Sequence, residues 1–135
     1  LTLAMNDAFI ATWRSKYQIN LLRPVTYVQL FIDSNWTPQL MNTPPFPEYP
    51  SGHSVQSAAA AAVMSKLFGA QTAFTDNAHN DRGWGPRTFT SFGAAAEAAA
   101  LSRLYAGIHF RSAVVNGQAQ GRCVAERVLG LKTRQ

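Results

Sequence analysis

Apolar residues recur at helical spacing along most of the chain. From Leu3 to about Ile32 they fall at Ile10, Trp13, Tyr17, Leu21 and Leu22, then at Val28, Phe31 and Ile32. Such intervals line one face of an α-helix. Pro24 interrupts the run. Proline lacks an N–H and clashes with the preceding turn, so the pattern predicts two helices meeting near Arg23. Further helices are predicted over Ser51–Phe68, ending at Gly69; over Ser91 to about Ala106, stopped near Gly107; and over Ser112 to about Leu129, ended by Gly130. Glycine just past the last apolar residue is a helix-stop signal in each case.

Two long segments break this pattern. Asp33–Pro50 holds five of the seven prolines, and Ala70–Thr90 is polar, contains Gly and Pro, and embeds Trp84 and Phe89. Both read as loops, and loops of this length in a compact domain are often functional. No segment alternates convincingly with period two, and no repeat of roughly 20–50 residues is present. The expected fold class is all-α: a helix bundle of four to six helices with two long loops, one domain over residues 1–135. The alanine runs at 58–62, 94–96 and 98–100 fit this architecture. Small side chains let helices approach closely.

Composition sharpens the picture in three ways. Of the 135 residues, 47% are hydrophobic and 14% charged, which is a globular rather than a disordered balance. The net charge of +5 comes from scattered Lys and Arg without a dense basic run. That argues against a nucleic-acid partner and for a small anion if several cations converge. No apolar run reaches the roughly 20 residues of a membrane span. The one cysteine, Cys123, excludes an internal disulfide and reads as a small core residue at mid-helix. The chain opens on Leu1, already within the helical pattern and with no leader signal. A piece of a longer chain, its C-terminal part, is therefore one expectation.

Candidate chemistry collects in three clusters: Lys16 and, after six residues, Arg23-Pro24; Pro50-Ser51-Gly52-His53; and Ser102-Arg103 and, after five residues, His109. On a continuous helix Lys16 and Arg23 would project from one face, two turns apart. Ser51, Gly52 and His53 stand at a predicted helix start, where free N–H groups and the helix dipole favour an anion. Ser51 also suits an N-cap. Arg103 lies near the end of the fourth helix, and His109 on the turn into the last. Three cations, a hydroxyl, a helix N-terminal N–H and two histidines are the components of an oxyanion site. His79 and Asp81 read as loop residues, and Asn35-Trp36-Thr37 matches a glycosylation sequon.

Lys-x6-Arg-Pro, Pro-Ser-Gly-His and Ser-Arg-x5-His, in this order and at these separations, resemble the three-part signature shared by vanadium-dependent haloperoxidases and type 2 phosphatidic acid phosphatases. The resemblance implies that Lys16, Arg23 and Arg103 hold the oxygens of vanadate or phosphate, with the Ser51 hydroxyl and the Gly52 N–H. It implies that His53 is the acid–base histidine, and that His109 is the vanadium ligand or, in a phosphatase, the nucleophile. Phe46, seven residues before His53, matches an apolar residue that roofs vanadate in fungal-type enzymes. Trp13-x-x-Lys16, Gly107-Ile108-His109-Phe110-Arg111-Ser112 and Pro86–Phe92 are also similar to the haloperoxidase branch. Trp13 and Phe46 are accordingly expected at the halide or substrate pocket. The implied partners are hydrogen peroxide, a halide and a small organic substrate, with vanadate as cofactor and phosphate or sulfate able to take its place. A phosphatase or phosphotransferase acting through a phosphohistidine, and a non-catalytic anion-binding remnant, are the alternatives.

Two departures from the family pattern carry expectations of their own. The aspartate usual four residues after the second histidine is Ala113 here, so the imidazole needs another orienting group: a backbone carbonyl, Asn116 or, less suitably, Ser112. Family members are also far longer. The chain is therefore expected either to dimerise over surfaces that further helices would cover or to be a fragment.

Overall fold

The protein is described here by a computed structural model covering residues 1–38 and 42–132. It contains α1 (Thr2–Ile19), α2 (Pro24–Phe31), α3 (Gly52–Phe68), α4 (Phe92–Tyr105) and α5 (Arg111–Leu129), with a short hairpin of β1 (Phe74–Asp76) and β2 (Arg87–Phe89) before α4. The fold is the expected helix bundle. The proline-rich segment is irregular wherever it is described; residues 39–41 of the predicted loop lie outside the described residues.

The first helical run divides for a different local reason than its proline. Asn20 takes the left-handed conformation (φ 51°, ψ 44°) and its N–H bonds back to the Lys16 carbonyl, ending α1. Asparagine tolerates that region better than most residues. Pro24 then occupies the first turn of α2, where its missing N–H costs nothing and its fixed φ suits the helix. Lys16 and Arg23 therefore do not share a helix face: one lies on α1, the other is the N-cap of α2.

The Ala70–Thr90 segment is more ordered than its composition suggests. Phe74 pairs with Phe89, Thr75 with Thr88 and Asp76 with Arg87 in antiparallel register. Phe74 stacks on Phe92 at 5.2 Å, tying the hairpin to the start of α4. Strands of three residues are too short to display a period of two.

α3 is the central helix, packed most extensively against α5, then α4, with α1 on a further side. Its core partners are small: Ala4 and Ala8 from α1, Val55, Ala59 and Val63 from α3, and Ala125 from α5. Gly117 and Gly121 bring α5 against the α3 backbone. A β-carbon at 121 would be driven into the Val55 carbonyl oxygen, and one at 117 would stand 3.0 Å from the Ser51 carbonyl. Cys123, expected in the core, is exposed. Large apolar side chains on α1 and α2 also face outward, among them Ile10, Tyr17, Leu30 and Phe31. Among the described residues, no helix is long and apolar enough to cross a membrane.

Candidate functional site

The site forms where α1, the N-terminus of α3, the end of α4 and the turn before α5 meet. A cavity of about 150 Å³ there is lined by Trp13, Lys16, Arg23, Phe46, Gly52, His53, Arg103 and His109, together with Phe9, Thr12, Pro44, Gln56 and Ile108. Residues drawn from all three sequence clusters thus converge on one pocket. Ser51 is not on its wall. That residue is fully buried, and its Oγ accepts from the Ser54 N–H at 3.4 Å and from the Ser54 hydroxyl at 2.9 Å, the N-cap role.

Gly52 is the first residue of α3, and the first N–H groups of a helix lack intrahelical partners. A β-carbon at Gly52 would meet only Thr12 Cγ2, at 3.8 Å, among the described residues. What its absence keeps open is the pocket itself. Gly107, at φ 72°, turns the chain from α4 toward His109 in a conformation that disfavours a side chain.

Arg23 is buried and held by backbone. Its Nε donates to the Phe46 carbonyl at 2.9 Å and its Nη1 to the Ile108 carbonyl at 2.9 Å. Nη1 also lies 3.1 Å from His109 Nε2. Its Nη2 is buried without a hydrogen-bond partner among the described residues. A buried guanidinium donor left unmet is costly, and an oxyanion oxygen would satisfy it.

Lys16 lines the pocket, with its ammonium turned onto the backbone of the proline-rich loop. Its Nζ donates to the carbonyls of Pro47 at 2.9 Å, Glu48 at 3.0 Å and Pro50 at 2.6 Å. An ammonium has three N–H donors, and here all three go to backbone. Lys16 therefore contributes charge to the pocket while pinning the 47–50 segment. Burial, reinforced by the neighbouring Arg23 charge and opposed by Glu48, lowers its pKa to about 8. The Phe46 ring lies 5.3 Å from Lys16 Nζ and 4.9 Å from Arg23 Cζ, so one aromatic face borders both cations. Trp13 packs on Phe46 at 4.8 Å and on Phe9 at 5.5 Å, completing an aromatic wall.

Both histidines are biased toward neutrality. His53 stands at the pocket mouth, where burial of part of the ring and the charges of Arg103 and Lys16 lower its pKa. His109 is buried; desolvation lowers its pKa, and a hydrogen bond to Glu48 works in the opposite direction. Arg103 is half-buried and loses some proton affinity to burial.

Glu48 escaped sequence reasoning. It is fully buried, and its Oε1 lies 2.7 Å from His109 Nδ1 and accepts the Phe110 N–H at 2.9 Å. The groups considered for orienting His109 do not take that place. Asn116 and Ser112 are exposed, and the Ala113 carbonyl accepts the Ser51 N–H at 3.1 Å. The available signal was an acidic residue set among the prolines of the loop, five positions before His53. Phe9 was also missed, although Phe9, Trp13 and Tyr17 form an aromatic stripe at helical spacing.

The donor set suits an oxyanion. Three cationic side chains, a guanidinium N–H unpartnered among the described residues, a helix start and one imidazole nitrogen converge on the cavity. Among the described residues, no three His, Cys, Asp or Glu side chains cluster to cage a bare metal ion. The charge of this donor set would fit an oxyanion such as vanadate.

Comparison with known proteins agrees with this architecture. The family model for the VCPO second helical-bundle domain matches residues 28–135. No curated protein matches the chain. The crystal structure of a bacterial vanadium-dependent iodoperoxidase superposes with a TM-score of 0.89 at 48% sequence identity, over 93% of this chain and 30% of that one. A holo-type bacterial vanadium-dependent chloroperoxidase gives a TM-score of 0.75 at 19% identity, over 91% of this chain and 32% of the other. The apo-type chloroperoxidase gives 0.69 at 18%, over 90% and 34%. These last two similarities carry the fold alone. The chain spans about a third of the length of these proteins.

Proposed function

We propose that this chain, which belongs to the VCPO second helical-bundle domain family of vanadium-dependent haloperoxidases, carries the vanadate site of an enzyme that oxidises halide with hydrogen peroxide. The observation that supports this most directly is a pairing in the pocket wall. His109 Nε2 sits beside Arg23 Nη1, while Arg23 Nη2 has no hydrogen-bond partner among the described residues. The arrangement offers one ligand nitrogen and adjacent positive charge to a single oxyanion.

The reaction consumes a halide, hydrogen peroxide and a proton, and yields hypohalous acid and water. The O–O bond breaks; the halide gives up two electrons and takes one oxygen, and the other leaves as water. Bound vanadate would supply the Lewis acidity that makes peroxide electrophilic toward halide. The chain's own residues do the rest. His109 offers Nε2 as the ligand atom. Arg23 and Arg103 hold and neutralise oxyanion oxygens, an electrostatic contribution set in place before reaction. Lys16 adds a fixed charge from behind the loop. His53, kept neutral near pH 7 by its lowered pKa, can take a proton from incoming peroxide and return it to the departing oxygen. Phe9, Trp13 and Phe46 exclude water on the side where halide or a small organic substrate would approach.

The relative at 48% identity is named for iodide, so iodide is the halide proposed first. The deciding experiment is oxidation of iodide and bromide, followed with a dione dye, in the presence of vanadate and peroxide. Turnover abolished by His109→Ala is the expected result. If neither halide is oxidised at saturating vanadate, the reading fails. An imidazole nitrogen facing a cationic pocket would equally serve as a phosphoryl acceptor, and hydrolysis of an aryl phosphate blocked by vanadate would favour that second reading. The outward apolar side chains of α1 and α2 and the chain's share of its relatives' length support a working partner. Either further helices of a longer chain or a second copy would fill that role, and light scattering distinguishes a monomer from a dimer.

A further inference from the structure

We infer that Glu48 is the positioning residue for His109: it fixes the imidazole as the Nδ1–H tautomer and leaves the Nε2 lone pair directed toward Arg23 and the pocket. The tautomer follows from both sides of the ring. Arginine only donates hydrogen bonds, so the 3.1 Å contact with Arg23 Nη1 requires Nε2 to accept. In the neutral ring the proton must then sit on Nδ1, where Glu48 Oε1 is 2.7 Å away. A bond on one ring nitrogen sets which of the two is free to bind a metal.

Glu48 is itself held from three directions. Its Oε1 accepts the Phe110 N–H, fixing the carboxyl group to the residue after the histidine. Its carbonyl accepts from Lys16 Nζ at 3.0 Å, and its N–H donates to the Leu21 carbonyl at 2.9 Å. Lys16 thus acts on His109 through the loop, by way of Glu48. The family pattern assigns the orienting carboxylate to the position of Ala113, on α5. In this chain that side chain is a buried methyl, and the carboxyl group comes from the loop before α3 instead. An ionisable side chain enclosed to this degree needs a specific partner, and His109 supplies one.

This inference rests on His109 being the ligand nitrogen of the proposed function, and the two can fail separately. In the ligand-free protein, at a pH where the ring is neutral, the imidazole ¹⁵N shifts of His109 should report a protonated Nδ1 and a bare Nε2. Glu48→Gln keeps an oxygen able to accept both N–H groups, so it should retain that signature and bind vanadate close to wild type. Glu48→Ala should mix the tautomers and weaken vanadate binding roughly 10- to 100-fold, the usual cost of losing a ligand's orienting partner. A wild-type His109 protonated on Nε2 overturns the assignment, whether or not either variant folds. So does a folded Glu48→Ala protein with unchanged tautomer and unchanged vanadate affinity. If the wild type shows the Nδ1–H signature but does not bind vanadate, the proposed function falls and the Glu48 assignment stands.

Discussion

Arg23 Nη1 stands 3.1 Å from His109 Nε2, so a cation occupies the lone-pair side of the imidazole in the pocket wall. The same guanidinium is anchored to two backbone carbonyls and leaves Nη2 without a hydrogen-bond partner among the described residues. Its two backbone anchors hold it beside the ring, and a ligand that takes the Nε2 lone pair would displace only the Nη1–Nε2 contact. A lysine at this position keeps the charge but not the planar fork. Arg23→Lys should therefore weaken vanadate or sulfate binding by roughly 10- to 100-fold, the worth of hydrogen bonds to charged groups. Arg14→Lys, at an exposed position on α1, should leave it unchanged. Equilibrium titration of each variant checks the difference.

Lys16 makes a contrasting prediction. Its three N–H groups serve the carbonyls of Pro47, Glu48 and Pro50. Removing the donor leaves buried carbonyls unmet, at about 1–3 kcal/mol for each one that water cannot reach. Lys16→Met should lower the midpoint of thermal unfolding clearly, whereas Lys66→Met at an exposed site on α3 should shift it little. Equal midpoints for the two variants would contradict the clamp.

The lowered pKa of Lys16 also sets a pH dependence. Below about pH 8 the ammonium is charged in the ligand-free pocket, and above it the charge is lost. Arg23 and Arg103 remain charged throughout. A bound anion favours the protonated form, so affinity for an anion should fall as pH rises through about 8, and not as it drops. Sulfate is the suitable probe because its own charge is constant over this range. Calorimetric titration between pH 7 and 9.5 should show the decline in the wild type and lose it in Lys16→Met.

The contact between α3 and α5 predicts a sharp steric limit. A methyl at Gly121 would enter the space of the Val55 carbonyl oxygen, which belongs to helix backbone and cannot rotate away. Gly121→Ala should destabilise the fold by at least the 1–3 kcal/mol typical of overpacking, roughly. At Gly85 no described atom lies within 4 Å of an added β-carbon. Gly85→Ala should be neutral or slightly stabilising, since it narrows the unfolded ensemble. Denaturant unfolding of the pair is the check.

The amino-acid sequence determined the helices, their order and most of the residues that line the pocket. Apolar spacing, the Ser51 cap and the stops at Gly69 and Gly130 act within a few residues, so they are legible without knowing what packs where. The three clusters were legible for the same reason, each being a short string with its own local geometry. Tertiary structure decided the rest. It carried Glu48 across 61 positions to His109, turned the Lys16 ammonium onto the proline loop and left Ser51 behind the pocket wall. It placed Gly117 and Gly121 against α3 and left Cys123 exposed. Each of those outcomes depends on how closely two distant segments approach. In this bundle that closeness comes from small side chains along α3 and α5, whose partners sequence spacing does not specify.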